Sequence, residues 1–552
     1  MGKIKTRFTI IAVISIILFA VAITPISFQN DTFYTIKIGE YVLNNGITLN
    51  HDPFSWIQGL TYTFPHWAYD VFTYLVYNVG GFLGVYISTC ILTAILGLAI
   101  FFVHSKVNKN QIIAFLLTIG VIWLMKDFIT ARAQLVSFIF FVIAIFFIEK
   151  FLETGRKRYA AGIIIIPIII ANVHAAVWPF YFILLLPYIG DYLINNFVVY
   201  FDVFYFRFKI KLKQKKIDKG KDEQEVEILT DKLNKLQIKL ENALAKKQKE
   251  PKFLDKVKLE KSKNGKWLVL IAVICVFTGL CTPLKDTPYT YLIKIEQGDT
   301  IRNISEHLPL TIAQNSAFAT FFILTIIVAL FTKVKLRLSD WFMLGGLIVL
   351  AFMSRRQVSM AYLVGALVCG KLIVQLLEKY DKKGTEEMVK LIASFLGGTL
   401  TIAIVLIMCL TLVKPKLDDK FVPENWYPVK ASDFLLNNVD ISKMKLFNEY
   451  NYGSYLLYRG IPVFIDSRCD LYTPQFNPGE NEFDDFLNIT NLSASYEDEF
   501  AKYGITHVML YVNSKLNLLL EKDSNYNVIY SDSNFIIYER LNANVEETVN
   551  AE

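Results

Sequence analysis

Apolar residues in this chain cluster in long blocks separated by short charged turns. Blocks at about 8–28, 82–103, 111–126, 134–150, 267–282, 316–331 and 391–413 stand alone, and two further pairs turn at His174 and at Arg355–Arg356. Each approaches the ~20 residues that cross a bilayer as a helix. The pattern predicts a polytopic α-helical membrane protein of about eleven spans. The first block is too long, and lacks a small-x-small site before Asp31, to read as a cleaved leader.

Two stretches break this pattern. Residues 29–81, between the first two blocks, are polar and rich in aromatic rings: Asp31, Glu40, His51, Asp52, His66, Trp67 and Asp70 all lie here. Such rings suit a membrane–water interface. From residue 415 to 552 the periods shorten. KLFNEY, PVFIDSR and THVMLYV read as buried strands, YGSYLLYRG, DEFAKYG and KLNLLLEK as helices, and NVIYSDSNFIIYER as a hairpin turned at Asp532–Asn534. Alternation of strand and helix predicts an α/β domain with a mainly parallel sheet.

Charge supplies orientation. Lysine and arginine crowd every second turn, beginning with Lys3, Lys5 and Arg7, which places the N-terminus in the cytoplasm, the 29–81 loop outside and the tail outside. Residues 201–265 hold 19 Lys and Arg against 11 Asp and Glu, whereas residues 415–552 hold 11 against 22. The basic insertion is thus cytoplasmic. Its Val226, Leu229, Leu233, Leu236 and Leu240 alternate by three and four as a short coiled-coil seam, which reads as a helical hairpin or self-association handle within 222–245, or as a dock for a cytoplasmic partner or anionic membrane lipids. Of the six cysteines only Cys469 lies in the tail, so no disulfide framework or cysteine metal site is indicated.

Candidate chemistry collects at the outer side. His51, His66, His174, His307 and His507 fall there, with Arg132, Arg355 and Arg356 in the short outer turns. Charge beside lipid is costly and tends to face a cavity or a partner. The grouping predicts an outward-opening polar chamber roofed by the 29–81 loop. Simpler roles remain open for each member. Asp31 can be a helix N-cap, Asp52 an Asx-turn residue before Pro53, His66–Trp67 an interfacial anchor, and His174 a helix-end residue; the arginines can contact lipid phosphate. In the tail, Asp466, Arg468 and Asp470 follow the PVFI run and serve either acceptor binding or an internal salt bridge. A Walker loop, a GxSxG elbow, HExxH and CxxC are all absent, and the basic segment's place on a membrane protein argues against nucleic acid.

The arrangement resembles the C-type glycosyltransferase superfamily, multi-span enzymes that use polyprenyl-phosphate-linked sugars outside the membrane. DTFYTIKIGEYVLNNG, HDPFSW, PHWAYDVFTYLVYNVGG, ARAQLVSF, ANVHAAVWPF and NEYNYGSYLLYRGIPVFIDSRCDLY carry a likeness to a mostly uncharacterised bacterial branch. The resemblance implies a transmembrane glycosyltransferase-like domain over 1–414, with the extracytoplasmic domain at 415–552. It implies an inverting hexosyl- or pentosyltransferase at the cell membrane, moving sugar from a polyprenyl-phosphate donor to an envelope glycan, lipid or protein. Asp31 then serves as catalytic base, with Asp52 at the second acidic position. His51, His66, Trp67, Asp70, Arg132, His174, Arg355, Arg356, Asp466 and Arg468 bind substrate. A divalent metal, if used, falls to Asp31, Asp52 and His66. The alternative is a non-catalytic transporter or scaffold of envelope assembly.

Overall fold

The fold is seen in a computed structural model, which describes residues 2–47, 51–198, 201–218, 223–248, 256–259, 262–298, 304–381, 383–479 and 481–541. Its dominant layer is helical. Gly2–Ile23, Trp67–Val107, Ala133–Thr154, Ala175–Asn196, Arg355–Tyr380 and Phe395–Lys416 are long and apolar enough to cross a membrane, and four shorter apolar helices accompany them. Helices are favoured because every backbone N–H and C=O is bonded within the segment, as hydrocarbon demands.

The first helix ends at Ile23, short of the predicted boundary near 28. Pro25 disfavours helical backbone at the residue before it. The orphaned carbonyls of Ala22, Ile23 and Thr24 accept from Lys416 Nζ at 2.9, 2.8 and 3.1 Å. This tie holds the end of the last long helix against the first. The last span also starts later than expected. Ser394 caps Phe395–Val413, its Oγ accepting from Gly397 N at 3.0 Å, and a separate amphipathic helix, Gly384–Ala393, precedes it.

The loop after the first span is ordered by two helices. Asn30–Asn45 packs on the start of Trp67–Val107. They approach so closely at Gly39 that a Cβ there would lie 2.1 Å from the carbonyl oxygen of Asp70. At Gly81 (φ 56°) the long helix breaks, so its first turns belong to the loop and its remainder to the bundle. That left-handed backbone suits glycine.

The tail holds a four-stranded sheet. Leu446–Phe447 pairs in parallel with His507–Tyr511, which pairs antiparallel with Phe535–Arg540, which in turn pairs antiparallel with Tyr526–Ser531. The sheet is therefore mostly antiparallel, against expectation. The reason is PVFI: Val463 does not enter the sheet but bridges Ser55 of the first loop. Ser55 Oγ donates to Val463 O (2.9 Å) and Trp56 Nε1 to Leu446 O (3.0 Å). Phe33, Leu60 and Phe64 of the loop share one buried core with Tyr455, Phe464 and Tyr538 of the tail. A second core runs through the helical layer. In the basic insertion, Phe201–Ile217 packs on Glu223–Gln248, and Leu233 is buried there while Leu229, Leu236 and Leu240 are half-buried. The side chain of Val226 lies outside the described residues.

Candidate active site

Where the first loop, the turns at Arg132 and Arg355–Gln357 and the tail meet, they enclose a cleft of about 360 Å³. That lies within the usual size range of ligand pockets. Asp31 sits in the first turn of Asn30–Asn45, whose N-cap residue is Gln29. Asp31 is thus not the cap, although its charge still favours that helix end. Arg132 occupies the N-cap position of Ala133–Thr154, where the chain is extended, and its guanidinium forms an ion pair with Asp31. A second carboxylate, Glu306, lies 3.6 Å from Arg132 Nη1. The Glu306 carbonyl accepts from Arg356 N at 3.0 Å, which binds the turn Arg355–Gln357 to the 304–310 segment and puts Arg356 on the cleft wall.

The histidines enter from another side. His66 Nδ1 lies 2.7 Å from Asp70 Oδ1, and Nε2 lies 3.1 Å from the Tyr34 hydroxyl. A carboxylate accepts and does not donate, so Asp70 holds the proton on Nδ1 and leaves Nε2 to accept from Tyr34. His174 ends the helix Lys157–Val173, and its Nδ1 lies 3.0 Å from Ser137 Oγ. The two rings sit edge to face, 6.1 Å apart. Ala175 N donates to Pro65 O at 2.7 Å, joining the two turns that carry them.

Electrostatics divide the site. Burial, with Arg356 next in weight, holds His174 well below its ordinary value and His307 down at about 4, so both rings are neutral near pH 7. Burial raises Glu306, but Arg132 and Arg356 outweigh it and keep that carboxylate ionised. Asp470 is pushed up by burial despite a hydrogen bond from the Tyr291 hydroxyl. Two guanidinium groups thus face two carboxylates beside neutral imidazoles. The arrangement can bind phosphate through Arg132 and Arg356 and accept a proton on Asp31.

No family model matches this chain, and no curated protein matches it. Solved structures do. The oligosaccharyltransferase of Archaeoglobus fulgidus in its apo form superposes with a TM-score of 0.54 at 12% identity, over 97% of this chain and 74% of that one. The same enzyme, AglB, in complex with an inhibitory peptide and a dolichol-phosphate gives 0.55 at 12% identity over the same shares. With a tethered acceptor peptide containing the NVT sequon the score is 0.51 at 11% identity, again over 97% and 74%. The chain shares the oligosaccharyltransferase fold.

Within that fold the expected site residues separate. Asp31, His66, Arg132, His174 and Arg356 line one cleft, and Asp70 stands behind His66. Asp52 does not join them. Its carboxylate is fully buried, bound to Arg468 at 2.6 and 3.2 Å, while Asp466 holds the other edge of the same guanidinium at 2.9 and 2.7 Å. Asp52 Oδ2 also accepts from Phe54 N and Ser55 N at 3.2 and 2.8 Å, as an Asx turn does. The Asp52–Arg468–Asp466 group is an internal clamp between loop and tail. Arg468 reaches the cleft wall with its charge already matched.

His51 is exposed outside the cleft, Trp67 packs on the loop–tail core, and Arg355 Nε turns to Pro309 O at 3.3 Å. The ligand set Asp31, Asp52 and His66 is not gathered either, since Asp52 is committed to Arg468. Among the described residues no three His, Cys, Asp or Glu side chains are grouped to hold a metal ion. Residues outside the expected set complete the cleft: Glu306, His307, Tyr34, Tyr291 and Tyr450. Only His307 carried a signal in the sequence, as an outer-side histidine.

Proposed function

We propose that this chain is an integral membrane glycosyltransferase of the C type. In this reading about eleven spans leave the N-terminus inside and the tail outside the cell membrane. The enzyme moves a sugar from a polyprenyl-phosphate donor to an envelope glycan, lipid or protein. The observation that carries the reading is the convergence of Asp31 with Arg132 and Arg356 in one cleft, in a fold shared with an enzyme solved with a dolichol-phosphate.

The donor's phosphate meets Arg132 and Arg356. Arg132 is already paired with Asp31, so a phosphate that recruits the guanidinium competes for it and frees the carboxylate. The acceptor then attacks the anomeric carbon from the face opposite the phosphate. Its C–O bond forms as the bond to phosphate oxygen breaks, its proton passes to Asp31, and the arginines neutralise the departing phosphate. His66, fixed by Asp70 and Tyr34, and neutral His174 orient the sugar or acceptor by hydrogen bonds.

The test is sugar transfer from polyprenyl-phosphate donors by membranes holding wild type or Asp31→Asn. Removal of a general base lowers transfer by about 10²–10⁴-fold. Equal transfer by both chains rules out the Asp31 mechanism. Transfer from no donor by either chain favours the alternative, a non-catalytic transporter or scaffold of envelope assembly.

A further inference from the structure

The helical hairpin of the basic insertion leaves one apolar face uncovered. At about 100° per residue, Val203, Phe206, Ile210 and Ile217 fall on one side of Phe201–Ile217. They are buried or half-buried, on the side covered by Glu223–Gln248, whose Leu229, Leu233, Leu236 and Leu240 are buried or half-buried in turn. The apolar seam of the second helix is thus spent within the chain and is not free to join two copies. The opposite side of the first helix carries Phe201, Phe204, Tyr205, Phe208 and Leu212 within about 100° of arc. All five are exposed, by 40% to 63%. Phe201 and Tyr205 stack with ring centres 6.3 Å apart, and Lys209 Nζ lies 4.4 Å from the centre of the Tyr205 ring. A contiguous exposed apolar face marks an interaction surface.

Charge and position identify the partner. Lys209 and Lys216 border the exposed face on one edge, and Lys211 and Lys215 on the other. With Arg207 and Lys213 the helix holds six basic residues against one acidic residue, Asp202. Among the described residues none of the six forms an ion pair. A second copy would bring like charges together, whereas an anionic lipid surface complements them. The helix also begins soon after the end of Ala175–Asn196, which is long and apolar enough to cross a membrane. Aromatic rings on one face with lysines along both edges are the composition of a helix lying in the membrane–water boundary.

We infer that the exposed face of Phe201–Ile217 docks on the anionic lipid surface of the leaflet at which Ala175–Asn196 ends. Phe204, Tyr205 and Phe208 enter the boundary between headgroups and acyl chains, and Lys209, Lys211, Lys215 and Lys216 meet lipid phosphates, their long stems lying along the apolar face. The second helix then covers the side turned away from the membrane. The inference is independent of the sugar-transfer reading.

The test is amide hydrogen exchange over residues 201–217 of the full chain, held in nanodiscs of phosphatidylcholine or of equal parts phosphatidylcholine and phosphatidylglycerol. Exchange is slower in the anionic discs, and high salt removes the difference. Lys211→Gln/Lys215→Gln shrinks the difference by up to about thirtyfold, while Lys232→Gln/Lys239→Gln on the second helix leaves it unchanged. Phe204→Ser/Phe208→Ser speeds exchange in both kinds of disc. Exchange over residues 229–240 reports the packing of the hairpin itself and stays as in wild type in every variant. Equal exchange in the two discs, or equal loss in the two lysine variants, overturns the inference. A slowing that follows the number of chains per disc instead of the lipid also overturns it, in favour of a second copy.

Discussion

The clamp between loop and tail sets up a quantitative contrast between Asp52 as a structural residue and Asp52 as a catalyst. In Asp52→Asn the amide oxygen can still accept from Phe54 N and Ser55 N, and Arg468 keeps Asp466. What is lost is the carboxylate charge and the Oδ1 bond from Arg468 Nη1 at 2.6 Å, in a fully buried setting. Hydrogen bonds to charged groups contribute about 1.5–3 kcal/mol, which sets the expected loss for this variant. Arg468→Met strands two buried carboxylates and costs more, about 3–5 kcal/mol or above. Two aromatic rings, of Phe54 and Tyr62, lie 5.3 and 5.1 Å from the guanidinium carbon and lose that cation as well. The assay is amide hydrogen exchange over residues 51–64. There, Asp52 N is bonded to Leu60 O, Trp56 N to Val463 O and Thr61 N to Asn477 Oδ1. A loss of 1.5–3 kcal/mol in local opening speeds their exchange by about 10- to 150-fold in Asp52→Asn, and further in Arg468→Met. If Asp52→Asn abolishes sugar transfer while exchange in this segment is unchanged, Asp52 is a catalyst and the clamp argument is wrong.

Three further outcomes follow from the site and its supports. Burial raises the Glu449 carboxyl to about 7, outweighing the hydrogen bond that Tyr511 N donates to it at 3.3 Å. The native state therefore binds more protons than the unfolded chain between the ordinary value near 4.5 and 7. Stability then falls as pH rises through that window, by about 3 kcal/mol. Glu449→Gln should remove this slope, so that the tail unfolds at a higher temperature than wild type at pH 8 and at a similar one at pH 4.5; a parallel pH dependence in both chains refutes the assignment. Arg132→Lys keeps the charge but loses the planar fork, and should raise the KM for a polyprenyl-phosphate donor about tenfold or more, with less effect on the KM for acceptor. Asp70→Asn lets the amide present a donor to His66 Nδ1 and reverse its tautomer; transfer should fall by at least about tenfold with the pH profile displaced, while an unchanged profile makes Asp70 merely a packing residue.

Much of this protein was legible in local pattern. The apolar runs announced the helical layer, because a spanning segment must be both long and apolar wherever it sits in the chain. The strand and hairpin signals of the tail located Leu446–Phe447, His507–Tyr511 and the pair ending at Arg540, and Asp532 turns that hairpin by accepting from Asn534 N and Phe535 N at 2.8 Å each. Asp31, His66, Arg132, His174 and Arg356 stood out because charge and imidazole beside lipid are costly and need a polar chamber.

Tertiary structure decided the rest. PVFI has the composition of a central strand, yet its Val463 bridges Ser55, a residue some 400 positions earlier, and the sheet became mostly antiparallel as a result. Asp31 and Asp52 are both acidic residues of one polar loop, and nothing local tells them apart. The fold does, by placing Asp31 beside Arg132 in an open cleft and Asp52 against Arg468 in a dry core. Glu306 joins the site only because the backbone of Arg356 anchors its loop there. Hydropathy and turn chemistry are properties of neighbouring residues, so sequence alone determined the apolar helices and the strands of the tail. The partner of each buried charge depends on contacts between segments far apart in the chain, and only the folded chain decided which carboxylate lines the cleft and which is locked in the core.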